Sequence, residues 1–159
     1  MEETMQSKTM SFSRMQTVQQ MTQQDANFAG NVHGGVIMKL IDITAGIVAA
    51  KHCGTNVVTA SIDRLDFHSP VFVGDILRVH ANLNFTGRTS MELGVEVEAE
   101  NFITGEIRHT ASAYLTFVSL DQFGKPMEIP QVTPETEDEI IRNKEASIRR
   151  KKRMEGFCR

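Results

Sequence analysis

The hydrophobic positions change their period along the chain. From Gly35 to about His52, in GVIMKLIDITAGIVAAKH, they keep the spacing of a helix, and Gly54 supplies a stop. Beyond that point the period drops to two. In ILRVHANLNF, Leu77, Val79, Ala81, Leu83 and Phe85 point one way, and Arg78, His80, Asn82 and Asn84 the other. In MELGVEVEAE, Met91, Leu93, Val95, Val97 and Ala99 alternate with Glu92, Glu96, Glu98 and Glu100. This alternation predicts half-buried strands of an antiparallel sheet. FTGRTS, with Gly87, and NFITGEI, with Gly105, predict the turns. NVVTASIDRLDFHS, closed by Pro70, and RHTASAYLTFVSL read as further strands, and SFSRMQTVQQ as a weaker first strand.

The tail TPETEDEIIRNKEASIRRKKRMEG predicts a second helix. Thr133 can cap it, Pro134 suits its first position, and its acidic start and basic end complement the helix dipole. The expected organisation is a loose polar arm over residues 1–10, a single α+β domain over 11–132, and a polar helix over 133–159. A helix apolar on most of its circumference needs more cover than a flat sheet gives. A strongly curved sheet wrapped around it would supply that cover, and a partner subunit would supply more.

Asp42 interrupts the long apolar run. At 100° per residue it shares a stripe with Gly35, Lys39, Gly46 and Ala49, while Val36, Ile37, Leu40, Ile41, Ile43, Ile47 and Val48 fall opposite. The modest reading is an ion pair with Lys39, worth about 0.2–0.5 kcal/mol. The functional reading is a carboxylate lining a site, as general base or nucleophile. The preceding GNVHGG places Gly34 and Gly35 at a helix N-terminus, where unpaired N–H groups can hold a phosphate or a polarised carbonyl oxygen. Two adjacent glycines also make a plain tight turn. The spacing is neither a Walker loop nor GxGxxG.

Composition narrows the function classes. The 159 residues fit one domain, and a net charge of −3 offers no basic field for nucleic acid. The longest apolar run is too short and too polar to span a bilayer, and MEETMQSKTMSFSR is too polar for a signal peptide. Cys53 and Cys158 have no CxxC spacing, and His52, His68, His80 and His109 lack close ligand spacing, so zinc is disfavoured. A reducing cytoplasm fits two separated cysteines.

DANFAGNVHGGVIMKLID, AGIVAAKHC and NVVTASIDRLDFHSPVFVGD closely resemble the cytosolic acyl-CoA hydrolases of the hotdog-fold thioesterases. TSMELGVEVEAEN, ASAYLTFVSLDQFGKP and VTPETEDE look like the same family, so the resemblance runs from about Met15 into the C-terminal helix. It implies a hotdog fold, a long central helix wrapped by a curved antiparallel β-sheet. It also implies acyl-CoA hydrolysis by Asn27 and Asp42, each site taking one residue from each subunit. A homodimer is then the minimum, and a trimer of dimers fits the family. Gly34 and Gly35 would hold the oxyanion, with Asn31 and His33 beside the substrate, although a loop histidine turned to solvent is the commoner role for His33. Coenzyme A phosphates would meet Arg64 or the Arg88, Thr89 and Ser90 turn. The Arg149–Arg153 cluster is a further candidate, or simply a solvated helix end. No metal or cofactor is required beyond the coenzyme A of the substrate. Two other readings keep the same elements: a hydratase or dehydratase, which would need a histidine with the carboxylate, and a non-catalytic acyl-CoA sensor, which would not need Asp42.

Overall fold

The structure, a computed structural model, describes residues 5–156. It begins with β1 (Lys8–Thr9), α1 (Met10–Ser13) and β2 (Met15–Gln20), followed by a short 3-10 turn (Gln23–Asp25). Then come α2 (Gly34–Cys53), β3 (Asn56–Phe67), β4 (Ile76–Thr86), β5 (Ser90–Glu100) and β6 (Ile107–Leu120). β7 (Val132–Thr133) and α3 (Glu137–Gly156) close the chain. Five strands form one antiparallel sheet in the order β2-β4-β5-β6-β3, so β2 and β3 are its edges. This is the α+β hotdog arrangement.

The alternating residues build the core as their period requires. Leu77, Val79, Ala81, Leu83, Leu93, Val95, Val97, Ala111 and Leu115 are buried on the sheet face that meets Ile37, Ile41, Ala45, Val48 and Ala49 of α2. α2 ends at Gly54, whose φ of +68° favours glycine and lets its N–H reach the Ala50 carbonyl at 2.8 Å. Ile43 and Ile47, expected in the core, are instead 45% and 40% exposed. One sheet covers only one side of the helix, and these residues lie on the uncovered side. Val58, Ile62 and Phe67 of edge strand β3 are also exposed.

Three expectations at the chain ends change. Residues 8–10 are not a loose arm: Lys8 and Thr9 pair in parallel with Val132 and Thr133, and Met10 is buried. Residues 1–4 lie outside the described residues. Ser11–Ser13 belong to α1 and not to the first strand, because Thr9 caps a helical turn by accepting the Phe12 N–H. At the far end Thr133 lies in β7, so neither it nor Pro134 starts α3. Thr136 accepts the Glu139 N–H at 3.2 Å, and Glu139 accepts the N–H groups of Thr136 and Glu135, a capping box three residues further on. Burial opposes the charge on Glu139, but these N–H groups and Arg14 outweigh it and hold the carboxyl below its ordinary range.

α3 lies on the outer face of the sheet, and this explains a departure from the alternation. Glu92 falls on the polar side of β5, yet it is 1% exposed. The Arg149 guanidinium meets it at 2.6 Å, Asn84 Nδ2 donates to it at 3.3 Å, and Arg153 lies 3.4 Å away. Arg149 also stacks 3.8 Å above the Tyr114 ring, and Arg153 reaches Asp63 at 2.6 Å. Gly94 leaves room for this arrangement, since a Cβ there would come within 2.6 Å of Asn84 Nδ2. Arg149 and Arg153 are therefore fasteners, and neither is a free phosphate ligand nor a solvated helix end.

Candidate active site

The loop before α2 is a closed miniature hairpin. Asn27 donates its N–H to the Asn31 carbonyl at 2.7 Å, and Ala26 bridges Val32. The Asn27 side-chain oxygen accepts the N–H groups of Ala29 and Asn31 at 3.0 and 3.2 Å. That Asx turn spends the oxygen of the amide and leaves its NH₂ group with no partner among the described residues. Gly30 has a φ of +85°, which closes the turn, and Phe28 stands fully exposed at the tip.

The loop is pinned from behind. Val32 N–H donates to the Val71 carbonyl at 2.8 Å, and Asn31 bridges Phe72. Buried Asp75 holds that second loop, accepting the Phe72 N–H at 2.9 Å and Arg108 at 2.7 Å. Between the loops and the start of α2 lies an open groove of about 420 Å³. Asn27, Asn31 and Gly34 border it with the apolar side chains of Ile37, Phe67 and Val71. His33 precedes the helix and offers no side-chain cap, and the Gly34 and Gly35 N–H groups make no hydrogen bond among the described residues. Nothing occupies the space where a Gly35 side chain would project, so a ligand can reach the backbone there.

Asp42 is elsewhere. It lies seven residues along α2 from Gly35, about 10 Å at 1.5 Å per residue. Its partner is not Lys39: Thr59 on β3 donates its hydroxyl to Asp42 Oδ1 at 2.5 Å. Asp42 is half-buried beside the exposed side chains of Ile43 and Val58. Within one chain the structure thus brings Asn27, Asn31 and Gly34 together and leaves Asp42 outside their groove. Thr59 was absent from the sequence reading, because only the pairing of β3 with β6 and the packing of α2 set it against the carboxylate.

The residues expected to meet coenzyme A are also dispersed. Arg64 sits on β3, paired with Asp66 at 2.6 Å and largely exposed. Arg88 faces Glu128 at 3.6 Å. Its hairpin with Thr89 and Ser90 belongs to the other end of the molecule, where Cys53, the last residue of α2, packs against Met91. A helix of 20 residues separates the two ends by about 30 Å. The histidine that borders the groove is His68, and His33 is not among its lining residues. The His68 ring, however, turns to Ser112 and stacks at 4.9 Å on His109, which is bonded to Glu96. Burial pushes the Cys53 thiol up to about 11, which removes it as a nucleophile at neutral pH. Cys158 lies outside the described residues. Among the described residues no helix is long and apolar enough to cross a membrane.

Residues 29–104 match the family model described as the thioesterase superfamily. A cytosolic acyl coenzyme A thioester hydrolase of Mus musculus is 44% identical over 143 residues, which are 89% of this chain and 38% of that protein. The chain thus spans well under half the length of that relative. A solved structure of an apo-hexameric acyl-CoA thioesterase is 39% identical, with a TM-score of 0.92 over 96% of this chain and 97% of that one. An acyl-CoA hydrolase from Staphylococcus aureus, solved with butyryl coenzyme A, coenzyme A and coenzyme A disulfide, is 38% identical. Its TM-score is 0.87 over 95% of this chain and 92% of that one. The Staphylococcus aureus protein has also been solved with alanine in place of an aspartate, an asparagine and a threonine.

Proposed function

This chain belongs to the thioesterase superfamily, and on that premise we propose that it hydrolyses acyl-CoA to a free fatty acid and CoA. The observation that carries the reading is the groove itself. An asparagine and Gly34 meet there against an apolar wall, the Asn27 NH₂ and the Gly34 N–H having no partner among the described residues, with the carboxylate one would pair with them about 10 Å down the helix. A second copy of the chain supplies the missing group. β3 is an edge strand with exposed apolar side chains, continuous with the uncovered side of α2, and such an edge favours a partner. Each site then takes Asn27, Gly34 and Gly35 from one subunit and Asp42, held by Thr59, from the other. The hexameric state of the structural relative supports a trimer of such dimers, and the cytosolic name of the Mus musculus relative supports a cytoplasmic setting.

The thioester oxygen lies against the N–H groups at the positive end of α2, where negative charge develops as the carbonyl carbon becomes tetrahedral. The Asn27 NH₂ orients the carbonyl or the water. By one route Asp42 takes a proton from water, hydroxide adds to the carbonyl, the C–S bond breaks, and the proton passes to the CoA thiolate. By the other, the carboxylate attacks the carbonyl, expels CoA, and leaves a mixed anhydride that water opens. Ile37, Phe67 and Val71 give the acyl chain an apolar wall. Neither route draws on a metal or cofactor.

Thiol release from a panel of acyl-CoAs tests the reading. Wild type should release CoA, and Asn27→Ala and Asp42→Ala should each lose about 10²-fold or more in kcat while staying folded. Mixing the two inactive variants through unfolding and refolding should restore about a quarter of wild-type activity, since half the dimers are mixed and each holds one intact site. Full activity in both variants would refute the site, and no recovery on mixing would refute its sharing between subunits.

A further inference from the structure

An exposed hairpin carries Asn27. From Ala26 to Val32 only Val32 is buried, so packing does little to fix the loop. Its anchor is the turn between β3 and β4. Asn31 donates its N–H to Asn27 Oδ1 at 3.2 Å, and Asn31 also forms the bridge to Phe72. The position of Phe72 therefore passes to the Asn27 amide through one residue.

Phe72 is gripped at its backbone and at its ring. Asp75 Oδ2 accepts its N–H at 2.9 Å, and the Asp75 N–H donates to its carbonyl at 3.1 Å. Arg108 of β6 reaches the same Asp75 oxygen at 2.7 Å, and its guanidinium lies 5.3 Å from the centre of the Phe72 ring. The Asp75 carbonyl accepts the Met21 N–H at 2.9 Å, which ties the turn to the end of β2. As a plain staple the pair has little advantage. Asp75 is 4% exposed, the Arg108 side chain is 19% exposed, and Arg108 Nε is buried with no partner among the described residues. Desolvating such a pair cancels most of what its attraction returns, so apolar residues of similar volume would serve stability as well. What a planar fork adds is direction, since it fixes one carboxylate oxygen and one ring together. Direction is what a reacting geometry demands of the groups behind it.

We propose that Asp75 and Arg108 are positioning residues for the hydrolysis, an assignment that rests on the Asn27 site described above. Arg108 sets the Asp75 carboxylate, Asp75 sets the Phe72 backbone, Phe72 sets Asn31, and Asn31 sets the amide that meets the thioester. Neither Asp75 nor Arg108 lines the groove, so both act through Asn27 and not on the substrate.

Steady-state thiol release by the full chain tests this, with the acyl-CoA that wild type cleaves best. Asp75→Asn keeps an oxygen for the Phe72 N–H and withdraws the carboxylate from Arg108. It should lower kcat about tenfold, short of the ~10²-fold that 1 Å of misplacement costs, and leave KM within about twofold. Arg108→Lys keeps a cation and loses the fork, so its kcat should fall between wild type and Asp75→Asn. Arg149→Met breaks a buried pair remote from the groove and should keep the wild-type kcat, which separates positioning from general loosening. In an Asn27→Ala background, Asp75→Asn should cost nothing further, because the group it aims is gone. A wild-type kcat in Asp75→Asn, a loss confined to KM, an equal fall in Arg149→Met, or a full further fall in the Asn27→Ala background would each overturn the proposal. If circular dichroism shows Asp75→Asn unfolded, Arg108→Lys decides alone, and a wild-type kcat there overturns it. Full activity in Asn27→Ala would remove the site and this proposal with it, whereas an impaired Asn27→Ala beside a normal Asp75→Asn would remove this proposal only.

Discussion

Arg149→Met isolates the fastening of α3 to the sheet. The substitution keeps a flexible stem of similar length and removes the guanidinium from Glu92, a carboxylate that is 1% exposed. Burial opposes the charge on Arg149, but the hydrogen bond and charge of Glu92 outweigh it and raise its pKa, so the guanidinium keeps its charge across the neutral range. Breaking one side of a buried pair costs about 3–5 kcal/mol. Three features of this site decide where in that range it falls. Arg153, at 3.4 Å, and Asn84 Nδ2, at 3.3 Å, still face Glu92 and blunt the loss. Arg149 is itself 26% exposed, so water already screens part of the pair. The stacking on Tyr114 adds about 0.5–1 kcal/mol back to the cost. The expected loss is about 3 kcal/mol, which in a chain of this size lowers Tm by about 6–12 °C. Urea unfolding at fixed protein concentration measures it, with the midpoint moving and the slope unchanged. The double variant Arg149→Met/Glu92→Leu should regain most of the loss, because a packed apolar pair replaces an orphaned charge. A single-variant loss under about 1 kcal/mol, or a double variant no better than the single, would refute the buried-pair reasoning.

Thr59→Ala removes the hydroxyl that donates to Asp42 and should lower kcat about tenfold, the value of one hydrogen bond to a charged group, with Thr59→Ser largely restoring it. An unchanged kcat in the alanine variant would mean that the carboxylate is positioned by something else. His52 is fully buried, and its Nε2–H donates to the Pro130 carbonyl at 2.8 Å, which leaves Nδ1 unprotonated and without a partner among the described residues. Burial lowers its pKa from the ordinary 6.5, more than the Pro130 bond raises it. An unfolded chain therefore takes up this proton before the folded one does. Stability should be full above pH 6.5 and fall as the pH drops from there through the folded-state value. Melting followed against pH, with His52→Gln as the reference, should show a gentler decline in the variant.

Much of the fold was legible because local period and core face coincide. α2 and the strands β3 to β6 appear where the pattern put them, and Gly54, Gly87 and Gly105 mark the stops and turns. The misses share one cause, which is cover supplied from far along the chain. Glu92 reads as solvent-facing from β5 alone, and only α3 makes it buried. Met10 reads as part of an arm, and only the pairing of Lys8 with Val132 orders it. Ile43 and Ile47 read as core because periodicity measures the width of an apolar stripe, not how much of it one sheet can cover. The candidate site divides the same way. Asn27, Asn31 and Gly34 are close in sequence and meet in one groove. Thr59 reaches Asp42 only through a sheet register that no local pattern encodes.

The strand order also fixes a sequence of events in time. β4, β5 and β6 follow one another through short turns and are neighbours in the sheet, so their pairing closes small loops and comes early. The edges are different. Met15 must find Ala81, and Asn56 must find Leu120, partners 66 and 64 residues apart in the chain. β3 is thus sealed late, and bulges between Thr59 and Ser61 and between Ile62 and Arg64 loosen its grip on β6. As an edge it is also among the first parts to open. The strand that holds Asp42 through Thr59 is therefore among the last to join the sheet, and the carboxylate gains its partner only when that edge closes.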